Sequence, residues 1–148
     1  MFRINQIAIF LVVLSISSIT AASIKFSERL QEYSLENGLK VILIEDKRSP
    51  AVINSIWYRV GSSNEVKGKT GISHILEHMM FKGTNKLGPG EFSMKVKEMG
   101  GTDNAFTSKD YTGYFQKVHQ DDLERCIELE SDRMTNLKLD EKQIEKEI

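Results

Sequence analysis

Gly71-Ile72-Ser73-His74-Ile75-Leu76-Glu77-His78-Met79-Met80-Phe81 is the stretch on which the reading of the whole chain turns. Two imidazoles four residues apart, with a carboxylate between them, fall on one side of a helix that turns by about 100° per residue. Both rings then reach a single ion while Glu77 projects beside them. Three protein ligands hold a catalytic zinc and leave a fourth position for water, whose pKa the ion lowers to about 7. A carboxylate next to that water acts as general base for attack on a carbonyl and hands the proton to the leaving amine. His74 and His78 are therefore expected as metal ligands and Glu77 as the base. Ile72, Ile75, Leu76, Met79 and Met80 occupy the opposite arc, which is expected to pack into a core, while Phe81 shares the arc of the imidazoles. A capping or surface pair of histidines is the bland alternative, but the chain holds 3 His and two of them land at this spacing. His119, the third, ends a strand-like run before a helix start, where a capping or solvated role is expected.

Around this helix the pattern alternates between strand and helix signals without a regular βαβ rhythm. Asn37-Gly38, set between Tyr33-Ser34-Leu35 and Leu39 to Ile44, predicts a hairpin in which both turn residues accept positive φ. Ala51 to Val60 reads as a third strand, ended by Gly61-Ser62-Ser63. A helix is predicted over Gly71 to Lys82 and another over Glu91 to Met99, with Gly88-Pro89-Gly90 between them. Thr102 to Thr107 and Tyr111 to Val118 form a second expected hairpin, in which Tyr111 and Tyr114 read as core or sheet-surface aromatics. A longer helix capped by Asp121 or Asp122 runs to about Leu137, and Asp140 with Gln143 opens one more. Strands in groups and helices in groups predict an α+β domain: two layers, an antiparallel-dominated sheet covered by helices on one side.

The first residues are set apart. Arg3, the apolar run Ile7 to Leu14 and the small residues Ala21, Ala22 and Ser23 read as a secretory signal peptide over residues 1–23, with an uncleaved anchor as the alternative. A single Arg in an apolar block argues against a mitochondrial presequence. The protein is thus expected to be exported, periplasmic or secreted, with no stable membrane span once the leader is removed. Residues 24–148 make the one expected domain.

The formal net charge is −1. Lys and Arg interleave with acids along helices instead of forming a block, which excludes a nucleic-acid footprint. Cys126 is the 1 cysteine, so no intramolecular disulfide forms, and its helix position predicts a buried free thiol.

The residues Gly71 to Thr84 resemble the signature of the pitrilysin and insulinase family of zinc metallopeptidases, the inverzincins, in which His-x-x-Glu-His inverts the commoner His-Glu-x-x-His. Leu35-Glu36-Asn37-Gly38-Leu39, Gly100 to Thr107 and Glu130 to Leu137 are similar to further stretches of that family, in the same order. The resemblance implies the processing-peptidase-like form of the two-layer fold and a zinc endopeptidase, a hydrolase that cuts peptide bonds through metal-activated water. It implies Zn2+ as cofactor, a peptide or unfolded protein as substrate, and a second homologous half or subunit that closes over the site. The family's third zinc ligand is a Glu on a downstream helix, beyond Ile148. The chain is therefore expected to be the N-terminal metallopeptidase domain truncated at its C-terminal end, inactive alone. By the same resemblance Asn104 and Ala105 border the substrate cleft and Glu147 fills an accessory acidic position. A non-catalytic peptide-binding homologue or partner subunit of an active peptidase is the alternative, and a closed structural zinc site, normally rich in Cys, is a third.

One residue breaks pattern. Glu130 lies on the arc of Leu123, Cys126, Ile127, Met134 and Leu137, where a carboxylate is costly unless paired. A buried partnership with a basic group or backbone donors is expected, ahead of metal ligation.

Overall fold

The computed structural model describes residues 29–148, in two compact units that divide between Ser49 and Pro50. The expected signal segment, 1–23, lies outside the described residues. In the first unit β1 (Leu30–Ser34) pairs antiparallel with β2 (Lys40–Ile44), Leu30 facing Ile44 and Ser34 facing Lys40. The hairpin is where Asn37-Gly38 predicted it, but only Gly38 takes positive φ, at 84°. Asn37 contributes its side chain instead, accepting the Leu39 N–H at 3.0 Å, while Gly38 N donates to Leu35 O at 2.9 Å. The turn is thus longer than a two-residue one, and a single left-handed glycine closes it.

The second unit runs β3 (Ala51–Tyr58), a short 3-10 turn (Ser62–Asn64), α1 (Ile72–Met79), α2 (Glu91–Glu98), β4 (Thr102–Thr107), β5 (Thr112–His119), α3 (Leu123–Asn136) and α4 (Glu141–Ile144). Its three strands make one antiparallel sheet in the order β3-β5-β4. Antiparallel strands and helices that are not interleaved one for one give the expected α+β arrangement.

Strand alternation sorts the side chains by face. Val52, Asn54, Ile56 and Tyr58 share a face with Val118, Gln116, Tyr114 and Thr112 of β5 and with Asp103, Ala105 and Thr107 of β4. The helices cover this face: α3 lies on β3 and β5, and α1 and α2 lie on β4. Phe92, Val96, Met99, Val118 and Cys126 form the core, joined at its border by Val52, Phe81, Leu87 and Leu129. The other face carries Ile53, Trp57 and Phe106, all exposed. There Phe106 folds its ring over Gly113, where a Cβ would come within 2.7 Å of it, and meets Trp57 edge-on at 5.4 Å.

On α3 the buried line is Cys126, Glu130 and Arg133, whereas Ile127 and Met134 are 51% and 39% exposed. The apolar arc read from sequence is therefore rotated toward solvent. Glu130 and Arg133 hold the interior position because their charges pair, although Arg133 Nη1 is left without a hydrogen-bond partner among the described residues. Arg133 Nε and Nη2 donate to the two Glu130 oxygens at 3.1 and 2.5 Å, and Gln116 Nε2 adds a third bond at 2.9 Å. Gln116 Oε1 in turn accepts from Asn54 at 2.9 Å. The guanidinium lies 4.1 Å from the Phe92 ring centre and 4.7 Å from that of Tyr114, so apolar ring faces enclose a charge that cation–π attraction helps retain. No helix among the described residues is long and apolar enough to cross a membrane.

Candidate active site

The helix α1 begins without a capping side chain of its own, because Gly71 occupies its N-cap. Glu65, in the loop before it, supplies the missing acceptor: its carboxylate takes the Ser73 N–H at 3.0 Å and the Gly71 N–H at 2.9 Å. Those two amides, Ser73 first, hold the Glu65 carboxyl below the usual carboxylate range.

The face that α1 turns inward is that of Glu77, not that of Ile72 and Leu76. Ser73, Glu77, Met79 and Met80 are buried, while Ile72 and Leu76 are 53% and 42% exposed. The sequence expectation that Ile72 and Leu76 pack into the core is thus corrected. Ser73 and Glu77 stand four residues apart and Met80 three further on, which makes one stripe. The small Ser73 and the flexible methionines let this stripe approach β4, and the Glu77 carboxylate finds a donor there. Thr107 Oγ1, at the end of β4, donates to Glu77 Oε2. Phe81 also turns inward, edge-on to Phe92 at 6.3 Å between ring centres.

His74 and His78 stay at the surface one turn apart, their ring centres 4.5 Å from each other and their planes inclined at 69°. Nδ1 of His78 meets Glu147 Oε2 at 2.5 Å, and Glu147 Oε1 takes the Lys82 ammonium at 2.5 Å. Lys82 above all, and His78 after it, keep the Glu147 carboxyl below its ordinary range. The turn that carries Glu147 follows α4, whose start is capped as expected by Asp140 Oδ1 accepting the Gln143 N–H at 3.1 Å.

This donor set suits zinc. A ligating histidine commonly gives its second ring nitrogen to a carboxylate, which fixes the ring and raises its basicity. The His78–Glu147 pair has that form, and leaves Nε2 for the ion. Among the described residues, no group of three or more His, Cys, Asp and Glu is assembled to hold a metal, so the two imidazoles are one donor short.

Beside His74 opens a cleft of about 470 Å³, walled by Ser62, Glu65, Thr107, Ser108 and Lys109. Its far wall depends on Gly61, where a Cβ would stand 2.3 Å from the Ser108 carbonyl oxygen and 2.5 Å from that of Lys109. That approach lets Ser62 N and Ser63 N donate to the same two carbonyls, at 3.1 and 2.8 Å.

Of the other residues singled out from sequence, Ala105 lies on the helix-covered face opposite Tyr114. Asn104 points to the opposite face and accepts the Ala105 N–H on its own side-chain oxygen at 2.9 Å, so the structure does not gather it with Glu77. His119 caps: its Nδ1 accepts the Asp121 N–H at 3.4 Å. Cys126 is a buried free thiol, and burial pushes its pKa up. Sequence reading passed over Thr107, Glu65 and Gly61. Thr107 alone left a trace, since alternation along β4 sends residues 103, 105 and 107 to one face.

Residues 40–148 match the family model described as Insulinase (Peptidase family M16). The zinc protease PqqE of Helicobacter pylori is 40% identical to this chain, over 86% of this chain and 31% of its own length. The beta subunit of the mitochondrial-processing peptidase of Neurospora crassa is 34% identical, over 80% of this chain and 25% of its own. Among solved structures, a protease from Helicobacter pylori superimposes with a TM-score of 0.77 at 40% identity, covering 80% of this chain and 29% of that one. Pitrilysin does so with 0.73 at 28% identity, covering 80% and 13%. The chain thus spans about a third or less of the proteins it matches.

Proposed function

Since the chain belongs to the insulinase family, peptidase family M16, we propose that it is the N-terminal part of a zinc-dependent endopeptidase. The observation that carries this reading is the pairing of two surface imidazoles with a buried carboxylate on one helix, one imidazole already backed by Glu147. A bound zinc ion supplies Lewis acidity and makes water acidic enough to ionise near neutrality. His74 and His78 hold the ion. Glu77 takes the proton of the attacking water and returns it to the departing amine. Glu147 orients His78, and Lys82 keeps Glu147 charged. The third protein ligand is assigned to sequence outside the described residues, which bring together two imidazole donors and belong to a chain spanning 31% of PqqE; without that ligand the site is inactive.

The substrate is a peptide or unfolded protein lying in the cleft beside His74 and continuing along the edge strand β4, where the main chain of Asn104 and Ala105 would border it. A second half of the chain or a homologous subunit closes over it. The alternative, a non-catalytic subunit that supports an active partner, draws on the subunit organisation named for the processing peptidase but leaves His74, Glu77 and His78 without a task. The signal-like composition of residues 1–23 supports export to the periplasm or beyond.

The test uses the full-length protein and a quenched fluorescent peptide. Cleavage is expected to stop with a chelator, to return with zinc, and to fall at least about a hundredfold in Glu77→Gln. Cleavage indifferent to chelation defeats the metallopeptidase reading, and an active Glu77→Gln variant removes Glu77 from the role of base.

A further inference from the structure

We propose that Thr107 is a positioning residue that orients the Glu77 carboxylate for proton transfer; the inference rests on the peptidase reading above. A helix fixes the Cα of a glutamate, but three side-chain torsions follow, the last of them broad. Glu77 is 8% exposed, and the Thr107 hydroxyl is its one hydrogen-bond donor among the described residues. That donor is fixed by the sheet. Thr107 closes β4 opposite Thr112, and Thr112 Oγ1 is tied to the Val60 carbonyl at 2.8 Å, next to the close-fitting Gly61. One carboxylate oxygen, Oε2, is thereby held by a strand, while Oε1 is left to accept a proton. Thr107 also walls the cleft that holds His74, which puts the hydroxyl beside the place where the reaction would occur.

The hydroxyl acts through Glu77 and touches no reacting atom. Losing it should lower turnover without weakening peptide or zinc binding. In the full-length zinc-loaded protein, Thr107→Val is expected to lower kcat tenfold to a hundredfold, the range known for groups that orient a site's ligands. KM and zinc stoichiometry should stay at wild-type values, and Thr107→Ser should restore kcat. In a Glu77→Gln background, Thr107→Val should cause no further loss. Thr107→Cys keeps the size and weakens the donor, so it serves where valine impairs folding; its kcat should fall while its unfolding midpoint stays. Equal kcat in the wild type, valine and cysteine variants overturns the inference, and so does an additive loss in the double variant. A structural role would instead lower the unfolding midpoint and the zinc content together. A wild-type protein with no zinc-dependent cleavage overturns the peptidase reading itself, which separates the two failures.

Discussion

Glu147 Oε2 stands 2.5 Å from Nδ1 of His78, a contact that spans 69 residues of chain. The same carboxylate binds Lys82 one helical turn beyond His78, so one side chain ties the end of the described chain to the imidazole helix. Replacing it should leave the helix in place and loosen the ion. Glu147→Gln is expected to weaken zinc binding tenfold to a hundredfold in the full-length protein. Competition with a chromophoric chelator measures this, and unchanged affinity would show that His78 needs no support.

Glu65 is the only side-chain acceptor at the start of α1 among the described residues, reaching two amides from outside the helix. In Glu65→Ala the amides of Gly71 and Ser73 should exchange hydrogen faster than in the wild type, while those of β5 keep their rates. Hydrogen exchange read residue by residue gives the answer.

The pairing of Glu130 with Arg133 is buried, its side chains 6% and 1% exposed. Arg133→Ala would leave the carboxylate without its charge partner in the interior, at a cost of about 3–5 kcal/mol in urea unfolding. Replacing both residues by apolar ones of similar volume should recover much of that loss, because neither charge then needs a partner.

Asp132 accepts from Thr84 Oγ1 at 2.5 Å and from Asn136 Nδ2 at 2.8 Å, with Lys86 at 3.9 Å. The Thr84 hydroxyl first, and then Asn136 and Lys86, lower its pKa from 3.8. A carboxyl whose folded pKa is depressed stabilises fully above its unfolded pKa, and that stability is lost as pH falls through the folded one. The wild type should therefore lose stability below pH 3.8 more steeply than Asp132→Asn, in unfolding curves taken between neutral pH and acid.

The strands and helices were legible from Asn37-Gly38, from Gly88-Pro89-Gly90 and from the alternation in residues 51–58, since each rests on local backbone preference. The turn of His74, Glu77 and His78 stood out because few structures other than a metal site need two His four residues apart with a Glu beside the second. Orientation was not legible. Ile72 and Leu76 mark an apolar arc, but Glu77 and Ser73 go inward because Thr107 and β4 receive them. The same holds for Ile127 and Met134, which Glu130 and Arg133 displace once they pair. Periodicity reports where polarity changes, whereas the inward direction depends on partners far along the chain. Glu65 escaped notice for a related reason: it caps the helix from a loop six residues before Gly71.

Gly61 turns an absence of atoms into a means of control. A methyl at that position would act as a wedge between the turn at Ser62 and the carbonyls of Ser108 and Lys109, prying the two lips of the groove apart. Because Ser108 follows Thr107 directly, such a wedge would also tug at the hydroxyl that holds Glu77, so the breadth of the groove and the seat of that carboxylate are set by one and the same missing methyl.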